Sequence, residues 1–217
     1  MKKIILLTAI AAGTFISAQA QDYKAPLQKT FNTFDTTKDL AQKTELANKL
    51  TLIAKKWDKE WATHYYVAVS DAILSYIVKD ADKKDAYLDD AEKEHDDAVS
   101  LLGKESDETY VLAAMIANGR LAVKPMDRYM KYGKIFSEIL EKAKAINADN
   151  PRIYHLQAMS KYYTPKAFGG GPKAALPYFE KADVLYAKEN DNDITKPYWG
   201  KGMNTYLLNE CKSGDKE

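Results

Sequence analysis

Residues 150–182 read NPRIYHLQAMSKYYTPKAFGGGPKAALPYFEKA and give the clearest indication of the fold. Asn150 has the side chain of a helix N-cap, and Pro151 suits the first helical position, where no backbone N–H is required. The glycines of residues 168–171 end this helix, and Pro172 begins a second one. The second helix carries a small–aromatic–small face at helical spacing: Ala175, Phe179 and Ala182. Because small residues let a neighbouring helix approach closely, the stretch predicts two antiparallel helices in contact.

Similar helical faces recur along the chain at a nearly constant interval. Four aromatic residues mark the first helices of successive units, at separations of 49, 44 and 45 residues: Trp61, Tyr110, Tyr154 and Trp199. Small and apolar residues follow each of them at steps of three and four. A period of this size indicates a solenoid of helical hairpins, and no strand-type alternation competes with it. The sequence therefore predicts an all-α array of four to five antiparallel hairpins.

These faces, and the linker at residues 143–151, resemble those of the tetratricopeptide (TPR) family. The resemblance covers residues 58–211 and is most specific over 143–182, which is similar to small exported bacterial TPR proteins. Some of those relatives, the TatT components, partner tripartite transporters. The resemblance implies a right-handed superhelix and a non-enzymatic binding or scaffolding role. The period exceeds the roughly 34 residues of a regular TPR, so the expected array is TPR-like with extended repeats.

The N-terminus has the three regions of a secretory signal. Lys2 and Lys3 precede an apolar run, and residues 18–20, Ala-Gln-Ala, match a cleavage site. We expect cleavage after Ala20 and export, most simply to a bacterial periplasm. The predicted organisation is a signal peptide (1–20), an N-terminal helical cap (21–57), the TPR-like repeats (58–212) and a short tail (213–217). No later run is long enough to span a membrane.

Composition narrows the classes of partner. A formal net charge of +1 over 217 residues offers no electrostatic basis for binding nucleic acid or an anionic membrane. Cys211 is the single cysteine of the chain, so no intrachain disulfide can form. We expect Cys211 to be a small apolar residue of the last helix rather than a nucleophile. No nucleophile motif or zinc-protease motif is present, so an enzyme is not expected.

The glycine-rich turn is interpreted as structural. A phosphate-binding loop needs a preceding strand and a following Gly-Lys-Ser/Thr, and neither occurs here. We expect the glycines to permit backbone reversal while Phe168 packs into the hairpin, so that Gly170→Val destabilises the fold.

Acidic and histidine-containing segments are interpreted without a metal or other cofactor. Residues 79–97 include several carboxylates beside His95, but on one helix their faces do not converge, which favours a solvated surface. Residues 191–193 begin like a calcium loop but lack its glycine and closing glutamate. The three histidines, His64, His95 and His155, show no metal-ligand spacing.

Tyrosines and cations at the edges of the helical stripes predict a binding groove. In such arrays the first helices line the concave face, and aromatic and basic side chains there suit a peptide or an organic anion. The candidate groove residues are Tyr66, Arg120, Arg152, Lys161, Tyr162, Tyr163 and Tyr198.

The favoured function is an exported adaptor or scaffold that binds a protein or peptide in this groove. The alternative is a small-molecule-binding accessory component of a transport system. Self-association through residues 206–208 on the terminal helix is left open.

Overall fold

A computed structural model describes residues 22–189 and 193–214, and over these ranges the chain is all-α, with no strand. The helices follow in this order: α1 (Lys24–Thr36), α2 (Leu40–Lys56), α3 (Trp61–Ile77), α4 (Ala81–Leu102), α5 (Asp107–Val123), α6 (Pro125–Arg128), α7 (Lys134–Ile146), α8 (Pro151–Tyr163), α9 (Pro172–Tyr186) and α10 (Lys201–Gly214). A π-helical turn, Tyr129–Gly133, joins α6 to α7, and a 3-10 turn, Lys166–Phe168, precedes α9.

Consecutive helices pack in pairs, which confirms the predicted hairpin array. The pairs are α1 with α2, α3 with α4, α5 with α7, and α8 with α9, and α10 closes the array against α9. The predicted stripes form the contacts between helices, because their alanines are buried: Ala68, Ala72, Ala91, Ala98, Ala114, Ala117, Ala143, Ala158, Ala175 and Ala182. Small residues at these positions allow the close helix approach that the sequence predicts.

Local capping signals place most helix ends correctly. The Asn150 side chain accepts a hydrogen bond from the Arg152 N–H at 2.9 Å. Ser106 caps α5, and Gly103 ends α4 in the left-handed region with φ 73°. The spacing of Thr36 and Asp39 resembles a capping box and predicts a helix that starts near Lys38, but this prediction is wrong. The N-cap of α2 is Asp39, whose carboxylate is itself an N-cap acceptor, and α2 begins at Leu40.

The end of the chain differs from the prediction. Trp199 does not lie on the last helix but in the turn before α10, where it is buried and donates from Nε1 to the Tyr65 hydroxyl at 2.8 Å. Residues 193–199 therefore fold back onto the first hairpins. Leu207 and Leu208 are buried against the α8–α9 hairpin, whereas Tyr206 stays exposed. Of residues 206–208, only Tyr206 is accessible to a second copy of the chain. Self-association through this segment stays a prediction.

The glycine turn reverses the chain as expected, but Phe168 does not pack into the hairpin. Its side chain is 75% exposed. Gly169 and Gly171 have φ values of 79° and 95°, which explains glycine at both positions. Within the turn, Gly170 is the residue that packs closely against the backbone. A Cβ added to Gly170 would overlap the carbonyl oxygen of Thr164.

The predicted signal peptide and residues 191 and 192 of the calcium-like segment lie outside the described residues. Among the helices that the structure describes, none has both the length and the apolar character needed to cross a bilayer.

Two buried groups, His155 and Asp71, make stability depend on pH in opposite directions. Burial lowers the pKa of His155 to about 4, so between pH 6.5 and 4 the unfolded chain binds a proton that the fold excludes. His155 therefore destabilises the fold as pH falls. Burial, together with the charges of Asp90 and Glu94, raises the pKa of Asp71 to about 7. The unfolded chain releases that proton from about pH 4 upward, so Asp71 destabilises the fold as pH rises.

Replacing Asp71 by asparagine is expected to raise the free energy of unfolding at pH 8 by on the order of 2–4 kcal/mol, because the ionised carboxylate is no longer buried. At pH 4.5 the gain should be much smaller. Urea unfolding at the two pH values measures the difference. Asp149→Asn is the control, since Asp149 is exposed in the turn between α7 and α8. An equal effect of Asp71→Asn at both pH values would contradict the raised pKa.

Candidate functional site

A cleft of about 530 Å³, which we call the Trp61 cleft, opens between several of the helices. Its walls come from the start of α3, the loop between α4 and α5, the first turn of α8 and the segment that follows α9. Its volume lies in the range of about 300–1,000 Å³ that small-molecule sites occupy.

Arg152 forms the floor of the Trp61 cleft. Its guanidinium is 2% exposed and contacts the carboxylates of Glu108 and Glu189 at distances of 2.6–3.1 Å. The same guanidinium donates to the carbonyl oxygens of Pro197 and Trp199. Every N–H of Arg152 therefore has an acceptor within the protein. Its proximity to Glu108 raises its pKa despite burial, so the charge is permanent.

Glu108 ties this floor to the rest of the fold. It accepts hydrogen bonds from the Tyr65 hydroxyl at 3.1 Å and from Nδ2 of Asn150 at 2.7 Å, in addition to Arg152. Helices α3, α5 and α8 thus meet at one carboxylate. A network with its polar atoms satisfied holds the floor in one geometry.

The rim of the Trp61 cleft is basic. Lys104, Lys188 and Lys196 are exposed there, and none of them forms a salt bridge with a described residue. Trp61 provides an aromatic wall, packed edge-to-face on Tyr65 with the ring centroids 5.8 Å apart. Ammonium groups around an aromatic wall suit a planar organic anion, with carboxylates at the rim and an apolar body inside.

A smaller groove of about 170 Å³ lies between α7, α8 and α9. It is found where the apolar core divides into two clusters, and Phe136, Leu140 and Lys161 line it. As it stands, this groove is too small for a ligand of ordinary drug size. Tyr162 and Tyr163 lie beyond Lys161 at the end of α8, with their ring centroids 5.1 Å apart.

The structure does not bring the seven predicted groove residues together. Lys161, Tyr162 and Tyr163 share the end of α8, and their binding role stays a prediction. Tyr66 is fully buried in the core, with its ring 4.4 Å from that of Phe31, which contradicts the expectation that it faces an open groove. Tyr198 lies beside Tyr66 and donates its hydroxyl hydrogen to Asn32.

The two predicted groove arginines are also corrected. Arg152 is committed to the floor network described above. Arg120 is 7% exposed and is held by three carboxylates of α4: Asp85, Asp89 and Glu92. Both arginines lie at helix edges, but each meets carboxylates of a neighbouring element and so stabilises contacts between helices.

A surface that is not predicted from the sequence lies at the junction of α6 and α7. Met126, Tyr129 and Met130 are 89%, 65% and 83% exposed there, beside the π-helical turn. In the sequence, only the i, i+3, i+4 spacing of these residues indicates a shared helix face. That spacing is equally typical of a face that packs against the core. An exposed methionine–tyrosine patch of this kind is a second candidate contact surface.

Similarity to known proteins is found among solved structures. No family model matches the chain, and no curated protein does. The TatT resemblance therefore has no support from these comparisons. The chain is similar to the HusA haemophore from Porphyromonas gingivalis, with 32% sequence identity and a TM-score of 0.75. The match covers 92% of this chain and 97% of that one. With such identity over nearly the whole of both chains, the protein belongs to the family of the HusA haemophore.

Proposed function

We propose that this protein is an exported small-molecule-binding component of a transport system and that its ligand is haem or a related porphyrin. The observation that carries the proposal is the 32% identity to a haemophore over 97% of that chain. It favours the small-molecule alternative over the peptide-binding adaptor that the sequence pattern favours. Among the residues that the structure describes, no constellation of catalytic side chains argues for an enzyme.

The Trp61 cleft is the proposed site. A porphyrin of the haem type is a flat apolar ring with two carboxylates on one edge. Its ring would lie against Trp61 and Leu102, and its carboxylates would meet Lys104, Lys188 or Lys196. The closed Arg152 network would supply a rigid floor rather than an additional anion contact.

The residues that line the cleft predict whether haem iron contributes to the binding affinity. The described residues that line the cleft include no histidine, tyrosine, methionine or cysteine, which are the side chains that ligate haem iron. The ring and its carboxylates should therefore carry the affinity. Iron-free protoporphyrin IX is expected to bind with a Kd within about threefold of that for haem, a difference below about 0.7 kcal/mol.

The test is a titration of the mature chain with haemin and with protoporphyrin IX, followed by Soret absorbance and tryptophan fluorescence. The combined variant Lys104→Ala, Lys188→Ala, Lys196→Ala is expected to bind both ligands about tenfold more weakly, because each exposed ion pair contributes about 0.2–1 kcal/mol. A matched control removes three exposed lysines elsewhere: Lys49, Lys144 and Lys173. The control should bind like the wild type.

Two other results would change the conclusion. Haem binding with axial-ligand bands, lost in Tyr129→Ala or in the double variant Met126→Ala, Met130→Ala, would move the site to the exposed patch at the α6–α7 junction. Absence of binding for both tetrapyrroles at 100 µM would overturn the proposed function.

A further inference from the structure

The facing sides of α3 and α4 bring together a histidine and two carboxylates that the sequence alone keeps apart. His64 lies on α3, and Glu94 and Asp97 lie one turn apart on α4. One ligand-type atom of each residue lies within 4.8 Å of those of the other two, and all three side chains are partly buried. His64 Nδ1 is 2.7 Å from Glu94 Oε2. Glu94 and Asp97 therefore meet a histidine of the facing helix α3, and not His95 of their own helix.

The orientation of the His64 ring is set by its other nitrogen. Nε2 lies 3.2 Å from the carbonyl oxygen of Asp58, so the Nε2–H donates there and Nδ1 faces the two carboxylates. This is the arrangement of metal-ligating histidines, whose second ring N–H is held by a carbonyl or a carboxylate. In the metal-free protein Nδ1–H donates to the Glu94 carboxylate across 2.7 Å, so a metal ion would take the place of that proton on Nδ1.

The surroundings of this cluster carry excess negative charge. Asp71, on the same helix as His64, is 8% exposed and forms no hydrogen bond or ion pair with any described residue. Asp90 and Glu94 both lie close enough to Asp71 for their charges to act on it. Lys93 contacts Glu94 at 3.3 Å and Asp97 at 3.5 Å, but its side chain is 70% exposed and can turn into solvent. A metal ion would replace the exposed Lys93 ammonium and the ring proton of His64 beside these carboxylates.

We propose that His64, Glu94 and Asp97 bind a divalent transition-metal ion of the Zn²⁺ type. One imidazole nitrogen with two carboxylate oxygens is a ligand set for Zn²⁺ or a similar ion, whereas Ca²⁺ and Mg²⁺ take oxygen ligands. Ligand atoms about 2.1 Å from a tetrahedral ion lie roughly 3.4 Å apart, so the His64–Glu94 pair must widen from 2.7 Å while Asp97 adjusts its distance to both. Rotation of Asp97, whose side chain is 47% exposed, accomplishes the second adjustment. None of these three residues lines the Trp61 cleft.

The experiment is calorimetric titration of the tag-free mature chain with ZnCl₂ at pH 7.5. We expect one equivalent to bind, and we expect His64→Gln and Asp97→Asn each to weaken binding at least tenfold. Asp96→Asn is the matched control, because Asp96 is adjacent, 84% exposed and outside the cluster, and the chemical change is the same. Unfolding of each variant in EDTA verifies that the apo fold is intact. Excess MgCl₂ should not compete.

The change in Tm on adding Zn²⁺ distinguishes a specific metal site from nonspecific binding of Zn²⁺ to acidic residues. Zn²⁺ should raise the Tm of the wild type and of Asp96→Asn, and not that of Asp97→Asn, since a ligand stabilises the state that binds it. Three results would overturn the proposal: no Zn²⁺ binding at 100 µM, equal losses in Asp96→Asn and Asp97→Asn, or loss of binding in Cys211→Ser with His64→Gln unaffected. None of these results bears on the porphyrin titrations.

Discussion

Replacing Arg152 by methionine is expected to lower the free energy of unfolding by about 3–5 kcal/mol, because a buried charge pair loses one partner. The substitution leaves Glu108 and Glu189 facing each other in a buried site without their shared cation. It also removes the donors to the carbonyl oxygens of Pro197 and Trp199. Methionine fills much of the volume, so the loss should report charge and hydrogen bonds rather than a cavity.

Urea unfolding of Arg152→Met measures this loss, and Arg120→Met is its matched control. Arg120 is also buried and also bound by carboxylates, but those of Asp89 and Glu92 are 70% and 52% exposed and can rehydrate. The control should therefore lose clearly less stability. Adding Glu108→Gln to Arg152→Met should recover part of the loss, because it removes one unpaired charge. Equal losses in the two arginine variants would show that the Arg152 network has no special role.

Replacing Gly170 by valine is expected to lower the free energy of unfolding by about 3 kcal/mol, at the upper end of overpacking effects. The reason is steric, since a Cβ at Gly170 would overlap the backbone carbonyl of Thr164, which cannot move aside as a flexible side chain would. Gly170→Ala should already show most of the effect, because the first added carbon makes the overlap.

Gly169→Ala separates this overlap from simple backbone strain. Gly169 has φ 79° but open space around its Cβ position, so alanine there should cost only about 1–2 kcal/mol. Phe168→Ala should change stability by less than about 0.5 kcal/mol, because the ring is mostly exposed. Thermal and urea unfolding of the four variants give the comparison. If Gly169→Ala proved as costly as Gly170→Ala, close packing at Gly170 would not be the cause.

The helical hairpins and their contacts could be predicted from the sequence because their causes are local. The Asn150–Pro151 start, the Ser106 cap and the Gly103 end each depend on a few neighbouring residues. The alanine and aromatic stripes depend only on residue spacing within one helix. They can be predicted because the helical period determines which residues share a face. The start of α2 is predicted wrongly because Thr36 and Asp39 are both possible N-caps. The start of the last helix is predicted wrongly because helical spacing continues back to Trp199, whereas α10 begins at Lys201.

The candidate sites could not be predicted, because they are assembled from residues far apart in the chain. Arg152 meets Glu108 across 44 residues and Glu189 across 37, and His64 meets Glu94 across 30. The sequence pattern predicts that both arginines line an open binding groove, yet carboxylates of neighbouring elements enclose them. Periodicity assigns a face to a side chain but not the element that covers that face.

The antiparallel helical array follows from the order of the residues alone, because alanines facing aromatic rings permit one kind of close packing. Three features depend on the folded chain: which charges are buried, the contact of Trp199 with Tyr65 across 134 residues, and the position of the basic-rimmed cleft. These outcomes depend on how successive hairpins stack. That stacking is set by many weak contacts summed over the whole array, and no short stretch of sequence encodes it.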